Sequence, residues 1–122
     1  MRKTDRKEAA RTGHQTGLLA ERLAAWYLRL QGYSILAMRY KTHVGEIDLV
    51  ARRGRTLVFA EVKHRRDMTA AKEAVHAENR ARVRRAAELY LQKHPRYTGL
   101  DMRFDAIVFA PRRWPQHIRN AF

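Results

Sequence analysis

Apolar residues recur at Leu19, Leu23, Trp26, Tyr27 and Leu30, a helical spacing that predicts an amphipathic helix from about Thr16 with this stripe turned inward. Gly32 supplies its stop. Tyr33–Met38, Ile47–Ala51 and Thr56–Lys63 then read as three strands, with Arg53-Gly54 as the turn between the last two. From Met68 to Leu91 the chain is rich in Ala, Arg and Glu, and Val83, Ala86, Ala87 and Tyr90 form an inward helical stripe that Pro95 shortly follows. The pattern leaves open whether this stretch is one helix or two, broken near His76. Arg103–Ala110 is a last strand, stopped by Pro111, and its apolar run Ala106–Ala110 suits a strand covered on both faces.

The expected order is helix, three strands, helix, strand. A long helical stretch between the third and fourth strands permits a crossover, so the fold class is α/β, a mixed β-sheet flanked by helices. At 122 residues this is one domain, placed at 16–122 behind a polar, basic and flexible segment 1–15. There is no cysteine, which excludes disulfides, zinc-thiolate sites and thiol nucleophiles. No apolar run is long enough to span a bilayer, and the charged start lacks a secretory signal, so a cytoplasmic chain is expected.

Charge narrows the partners. Twenty-six Lys and Arg against twelve Asp and Glu give +14, which favours polyanions through counterion release, nucleic acid ahead of acidic membranes or proteins. Arg52, Arg53 and Arg55 on the hairpin, with Arg80 and Arg84 one helical turn apart, are the candidate phosphate contacts. The six histidines have no zinc-site spacing, and no phosphate-binding glycine pattern is present.

The chemistry gathers on Gly45-Glu46-Ile47-Asp48-Leu49-Val50 and Leu57-Val58-Phe59-Ala60-Glu61-Val62-Lys63. Strand alternation gives Glu46, Asp48, Glu61 and Lys63 a common face, with Ile47, Leu49, Val58, Ala60 and Val62 opposite. A turn centred on Arg53-Gly54 would put Glu46 opposite Glu61 and Asp48 opposite Phe59. Carboxylates crowded on an otherwise apolar hairpin repel one another unless a cation holds them, and their oxygens suit Mg²⁺ or Mn²⁺. With Lys63 beside them they form a kit for phosphodiester hydrolysis. The plain alternative is a Glu61–Lys63 surface pair of little energetic weight. Asp105, on an apolar strand, reads as a buried acid paired with Arg103 or a neighbouring arginine.

The stretch Gly45–Arg65 resembles the signature hairpin of the YraN family of small bacterial proteins. The likeness runs from about Thr16 to Pro111 and takes in Ala20-Glu21-Arg22-Leu23-Ala24, Gln31-Gly32-Tyr33, Glu73-Ala74-Val75 and Arg103-Phe104-Asp105. It implies a restriction-endonuclease-like fold of the PD-(D/E)XK nuclease superfamily. By that resemblance Asp48 and Glu61 are the metal-binding acids, Lys63 the catalytic lysine, and Glu21 a helix-borne acid of the Holliday-junction-resolvase-like branch. Helical periodicity by itself points Glu21 away from the Leu19–Leu30 stripe, towards solvent. Two positions depart from the family: Ala20 stands where Gly is usual, and His76-Ala77-Glu78-Asn79 replaces a Thr-Pro-x-Lys turn, whose Lys role falls vacant or to Arg80.

The expectation is therefore a Mg²⁺- or Mn²⁺-dependent DNA endonuclease acting on branched DNA. Its rival is a nucleic-acid-binding protein that keeps the fold without turnover. A homodimer would suit a resolvase-like enzyme, although the pattern identifies no exposed apolar stripe to build one.

Overall fold

The computed structural model describes residues 18–76 and 80–121; the expected flexible segment 1–15 lies outside them. The first helix, α1, is described over residues 18–30. Strands β1 (Ser34–Lys41), β2 (Glu46–Arg53) and β3 (Thr56–His64) follow, then helices α2 (Met68–His76) and α3 (Arg80–Lys93). A 3₁₀ turn at Pro95–Tyr97, strand β4 (Asp101–Phe109) and a short β5 (Gln116–Ile118) complete the order. The stretch is helical on both sides of residues 77–79, which lie outside the described residues. The pattern of the C-terminal tail gave no sign of β5.

The five strands form one mixed sheet in the order β1-β2-β3-β4-β5. β1–β2, β2–β3 and β4–β5 pair antiparallel, while β3–β4 is the parallel pair that the α2–α3 crossover permits. α2 and α3 cover one face, where Val83, Ala86, Ala87 and Tyr90 pack on Val50, Phe59 and Val108. α1 covers the other, where Ala20, Ala24, Ala25 and Leu28 meet Leu49, Val58 and Ile107. A sheet buried on both sides explains the unbroken apolar run at the end of β4.

Gly32 ends α1 with φ 90, donating to the Arg29 carbonyl while Tyr33 N–H reaches back to Leu28. That is the double bond of a Schellman cap, and Tyr33 packs with Leu28 in the same cluster. Asp67 caps α2, its Oδ1 accepting from Ala70 N–H at 2.8 Å.

Two expectations are corrected. The hairpin turn is Gly54-Arg55, because Arg53 pairs with Thr56 and Gly54 takes the positive φ of 59 that a primed two-residue turn requires at its first central position. The second correction concerns α1, whose face is inverted. The alanine side packs on the sheet, and Leu19, Leu23, Trp26 and Leu30 stay exposed. Small side chains let the helix lie close over the sheet, and the large stripe that dominates the pattern faces outward.

Asp105 is fully buried and saturated with donors. Arg103 grips it through Nε and Nη2 at 2.8–3.0 Å, His117 Nε2 lies 2.6 Å away, and Asn120 N–H donates at 2.9 Å. Arg103 also donates to the Tyr33 hydroxyl, tying β4 to the end of α1. Burial opposes the charged form, but the His117, Arg103 and Asn120 hydrogen bonds outweigh it and hold the carboxyl below its ordinary range. A carboxyl depressed by folding contributes stability above its unfolded value and loses it as pH falls through the folded one. Asp105→Asn should therefore cost about 3–5 kcal/mol in urea unfolding at pH 7. The gap to wild type should close as pH drops below about 4.

Candidate active site

The Gly54-Arg55 turn moves the register two residues from the one its sequence suggested. The β2–β3 ladder runs from Arg53↔Thr56 to Leu49↔Ala60 and stops there. Continuing the count sets Asp48, in place of Glu46, opposite Glu61. Where the next ladder bond would form, the Asp48 side chain stands in: its Oδ2 accepts from Val62 N–H at 2.8 Å. Side-chain alternation breaks at the same place, since Ile47 packs with Val50 on the α2–α3 face while Leu49 and Ala51 lie on the α1 face. The expected apolar face thus holds for Leu49, Val58, Ala60 and Val62 and fails for Ile47.

The structure brings the Asp48 and Glu61 carboxyls side by side, close enough to share a proton. Glu61 is only 5% exposed. Burial pushes the Asp48 carboxyl up from its ordinary value; the Val62 N–H, the Glu61 hydrogen bond and the Lys63 charge work against that, while Glu46 adds to it. A hydrogen bond between two carboxyl groups requires a proton, so the pair has room for one positive charge between its oxygens. Lys63 follows on the same strand, half-buried and close enough for its charge to act on Asp48.

Glu21 joins them from the inner face of α1. Periodicity placed it in solvent, but the inversion of the helix leaves its side chain 15% exposed. Burial raises its pKa first, repulsion from Asp48 second, and Glu46 adds to both while Arg39 opposes. The helix-borne acid implied by the family likeness is therefore brought to the hairpin acids. Glu46 stands at the rim, with its side chain 41% exposed.

Arg39 is the member that sequence reasoning missed. Its Nε lies 3.6 Å from Glu21 and 3.8 Å from Glu46, ion-pair distances too long for hydrogen bonds. It also holds a left-handed φ of 53 inside β1, and the β1–β2 register brings it level with Asp48. A bulky residue there costs about 1–2 kcal/mol and persists only where its surroundings insist. Nothing in a run such as Met38-Arg39-Tyr40 announces this, because the signal is a backbone angle.

The arginine candidates divide. Arg52, Arg53 and Arg55 sit at the turn end of the hairpin, roughly 16 Å along β2 from Asp48 at the usual strand rise. They are engaged there: Arg53 lies over Tyr33 and donates to Gln31 O, Arg55 reaches Gly99 O, and Arg52 lies over Tyr97. They are not brought to the acids. Arg84 stacks on Phe104, and Arg80 is exposed at the start of α3. That first turn is held against the entry to β2, where a Cβ on Gly45 would meet Arg82 O at 3.3 Å. The beginning of α3, at Arg82, therefore lies beside the acid end of the hairpin. Among the described residues, no three acidic or imidazole groups stand together as a ready metal cage.

Fold and site together define a small α/β domain whose mixed sheet opens between two central strands around a largely buried pair of carboxyl groups. The chain belongs to the uncharacterised protein family UPF0102, whose model matches residues 20–109, in keeping with the YraN-like hairpin. It is 52% identical over 112 residues to a UPF0102 protein of Methylorubrum extorquens, covering 92% of this chain and 88% of that one. A relative from Mesorhizobium japonicum is 48% identical over 117 residues (96% and 90% covered), and one from Bartonella tribocorum 45% identical over 122 (100% and 94%). Among the described residues, no helix is long and apolar enough to cross a membrane.

Two stability effects should follow. An acid whose pKa folding has raised costs stability once pH passes its unfolded value. Asp48→Asn, which keeps an acceptor for Val62, should gain roughly 0.5–2 kcal/mol at pH 7 in EDTA, with the gain vanishing below about pH 4. At position 39 the backbone separates from the charge. Arg39→Asn should be more stable than Arg39→Ala by about 1 kcal/mol in urea unfolding, because Asn tolerates the left-handed conformation and Ala does not.

Proposed function

We propose that this protein is a divalent-metal-dependent nuclease hydrolysing phosphodiester bonds in DNA, with branched DNA the substrate class that its family likeness suggests. The observation that carries the reading is the Asp48–Glu61 carboxyl pair, half-buried and buried respectively, at the open end of the β2–β3 ladder, with the Lys63 charge acting on it. The donor set fits a hard cation: two oxygen ligands facing each other suffice for Mg²⁺, which usually keeps several waters and takes further oxygens from substrate phosphates. A Mg²⁺ or Mn²⁺ ion bound there would polarise the scissile phosphate and acidify a bound water.

The chain's own residues supply the rest. Val62 N–H fixes the Asp48 carboxyl, so one ligand is oriented before anything binds. Lys63 places the attacking water and steadies the charge that develops on the phosphate. Glu21, raised in pKa beside Asp48, is the auxiliary acid. Arg80 and Arg82 at the start of α3 serve the phosphates flanking the cut. Arg52, Arg53 and Arg55 lie too far along the hairpin for the scissile phosphate and would serve a more distant one. The excess charge of +14 draws the polyanion in.

One observation favours a second reading. Arg39 lies within ion-pair distance of both Glu21 and Glu46, an internal counter-ion that would let the cluster persist without metal. A non-catalytic nucleic-acid-binding protein would keep that arrangement.

Asp48→Ala, Glu61→Ala and Lys63→Ala should each lower Mn²⁺- or Mg²⁺-dependent cleavage of flapped or four-way DNA by about 10²–10⁴-fold. EDTA should abolish the cleavage of wild type. Calorimetry should find one Mn²⁺ site that Asp48→Ala and Glu61→Ala lose and Lys63→Ala keeps. DNA binding without any Mn²⁺ site would establish the second reading instead.

A further inference from the structure

The geometry points to the outer face of α1 as a docking surface for an acidic amphipathic helix of a partner protein. Leu19, Leu23, Trp26 and Leu30 follow at intervals of four, three and four residues, the d-a-d-a seam of a coiled coil. All four are exposed, Leu30 to 81%. Beside the seam runs a groove of about 430 Å³, with α1 as one wall and Phe109, Ala110, Arg113, Trp114 and Pro115 in the other. Trp114, at 88% exposure, overhangs it. A contiguous apolar surface of this kind on a chain so basic marks a place where something binds.

Charge selects the occupant. The g positions of the same heptads are Arg22 and Arg29, both exposed, with the Arg29 guanidinium 5.7 Å from the Trp26 ring centre. Arg113 stands on the opposite wall, and among the described residues no acidic one lines the groove. Flanking charges set the choice of partner in helix pairing. A second copy cannot answer these arginines. Run antiparallel, it sets arginine against arginine; run parallel, it offers only Ala20 and Tyr27 at the e positions. Single-stranded nucleic acid is also a poor match, since bases need aromatic platforms and this seam is mostly leucine. A helix with an apolar stripe flanked by Asp and Glu meets both the seam and its rim.

The chain's two tryptophans, Trp26 and Trp114, both lie at this surface, so their emission reports on it directly. The probe is a fluorescein-labelled helical peptide of about three heptads, with Leu at a and d and Glu at e and g. Two control peptides have the same composition with the seam scrambled, or Lys in place of Glu. With the full chain at physiological salt, the Glu peptide should raise anisotropy and shift tryptophan emission to the blue. Leu23→Gln with Leu30→Gln, a neutral change on exposed positions, should weaken it about tenfold or more. Arg22→Glu with Arg29→Glu should transfer the preference to the Lys peptide. The proposal is overturned if the Glu peptide does not bind, or if the scrambled peptide binds equally well. It is also overturned if ultracentrifugation finds a dimer that the Leu23/Leu30 variant dissociates, or if that variant loses affinity for a single-stranded oligonucleotide.

Discussion

The bond from Val62 N–H to the Asp48 carboxylate is the constraint around which this domain is arranged. A buried strand has to satisfy its backbone donors, and the usual partner is the neighbouring strand. Past Leu49↔Ala60 the β2–β3 ladder no longer supplies one, and a side chain does so instead. The substitution keeps the sheet's polar accounting closed while the two strands part. It also aims a carboxylate into the opening. Glu61 meets it from β3, Glu21 approaches from α1, and Arg39 closes the cluster from β1. The hairpin's far end is fixed by Gly54 and the near end by this one bond, so the register between them has no freedom to slip.

Two acids withdrawn from solvent, on strands β2 and β4 either side of β3, show how differently the same group can be treated. Asp105 receives an arginine, a histidine and a backbone N–H, and these donors hold its carboxyl below the ordinary range. Asp48 receives one backbone N–H and another carboxyl, and burial leaves it above that range. The first arrangement stabilises the charged form and ties β4 to β5 and to Tyr33. The second leaves a place for positive charge. A site that binds a cation has to be under-provided with protein donors, and the stability lost there is made up elsewhere in the fold.

Strand alternation and helical periodicity made much of this legible. The three strands of the hairpin region, the crossover, the inward face of α3 and the pairing of Asp105 with Arg103 could all be read from residue order, because each is a local pattern repeated several times. What escaped depends on single positions. Whether the turn centres on Arg53-Gly54 or Gly54-Arg55 is a choice of one residue, and it decides which acid faces Glu61. Arg39 enters the site through a backbone angle that arginine seldom adopts. α1 was misread for a different reason. Periodicity marks an apolar stripe without saying what covers it, and here the sheet takes the alanines.

That inversion ties the two faces of α1 together. A helix that presented its leucines to the sheet would stand further off and turn Glu21 towards solvent. The alanine face lets the axis approach, and the approach carries Glu21 to Asp48. The cost is an uncovered row of large side chains on the outside, beside Trp114. A helix is only about 10 Å across, so whatever contacts that row also presses on the element that holds Glu21. Glu21 meets the cluster through Arg39 and Asp48, so its place there depends on how closely α1 lies on the sheet. The cluster therefore draws one carboxylate from a helix packed over the sheet and two from strands within it, so α1 joins the outer row to the acids.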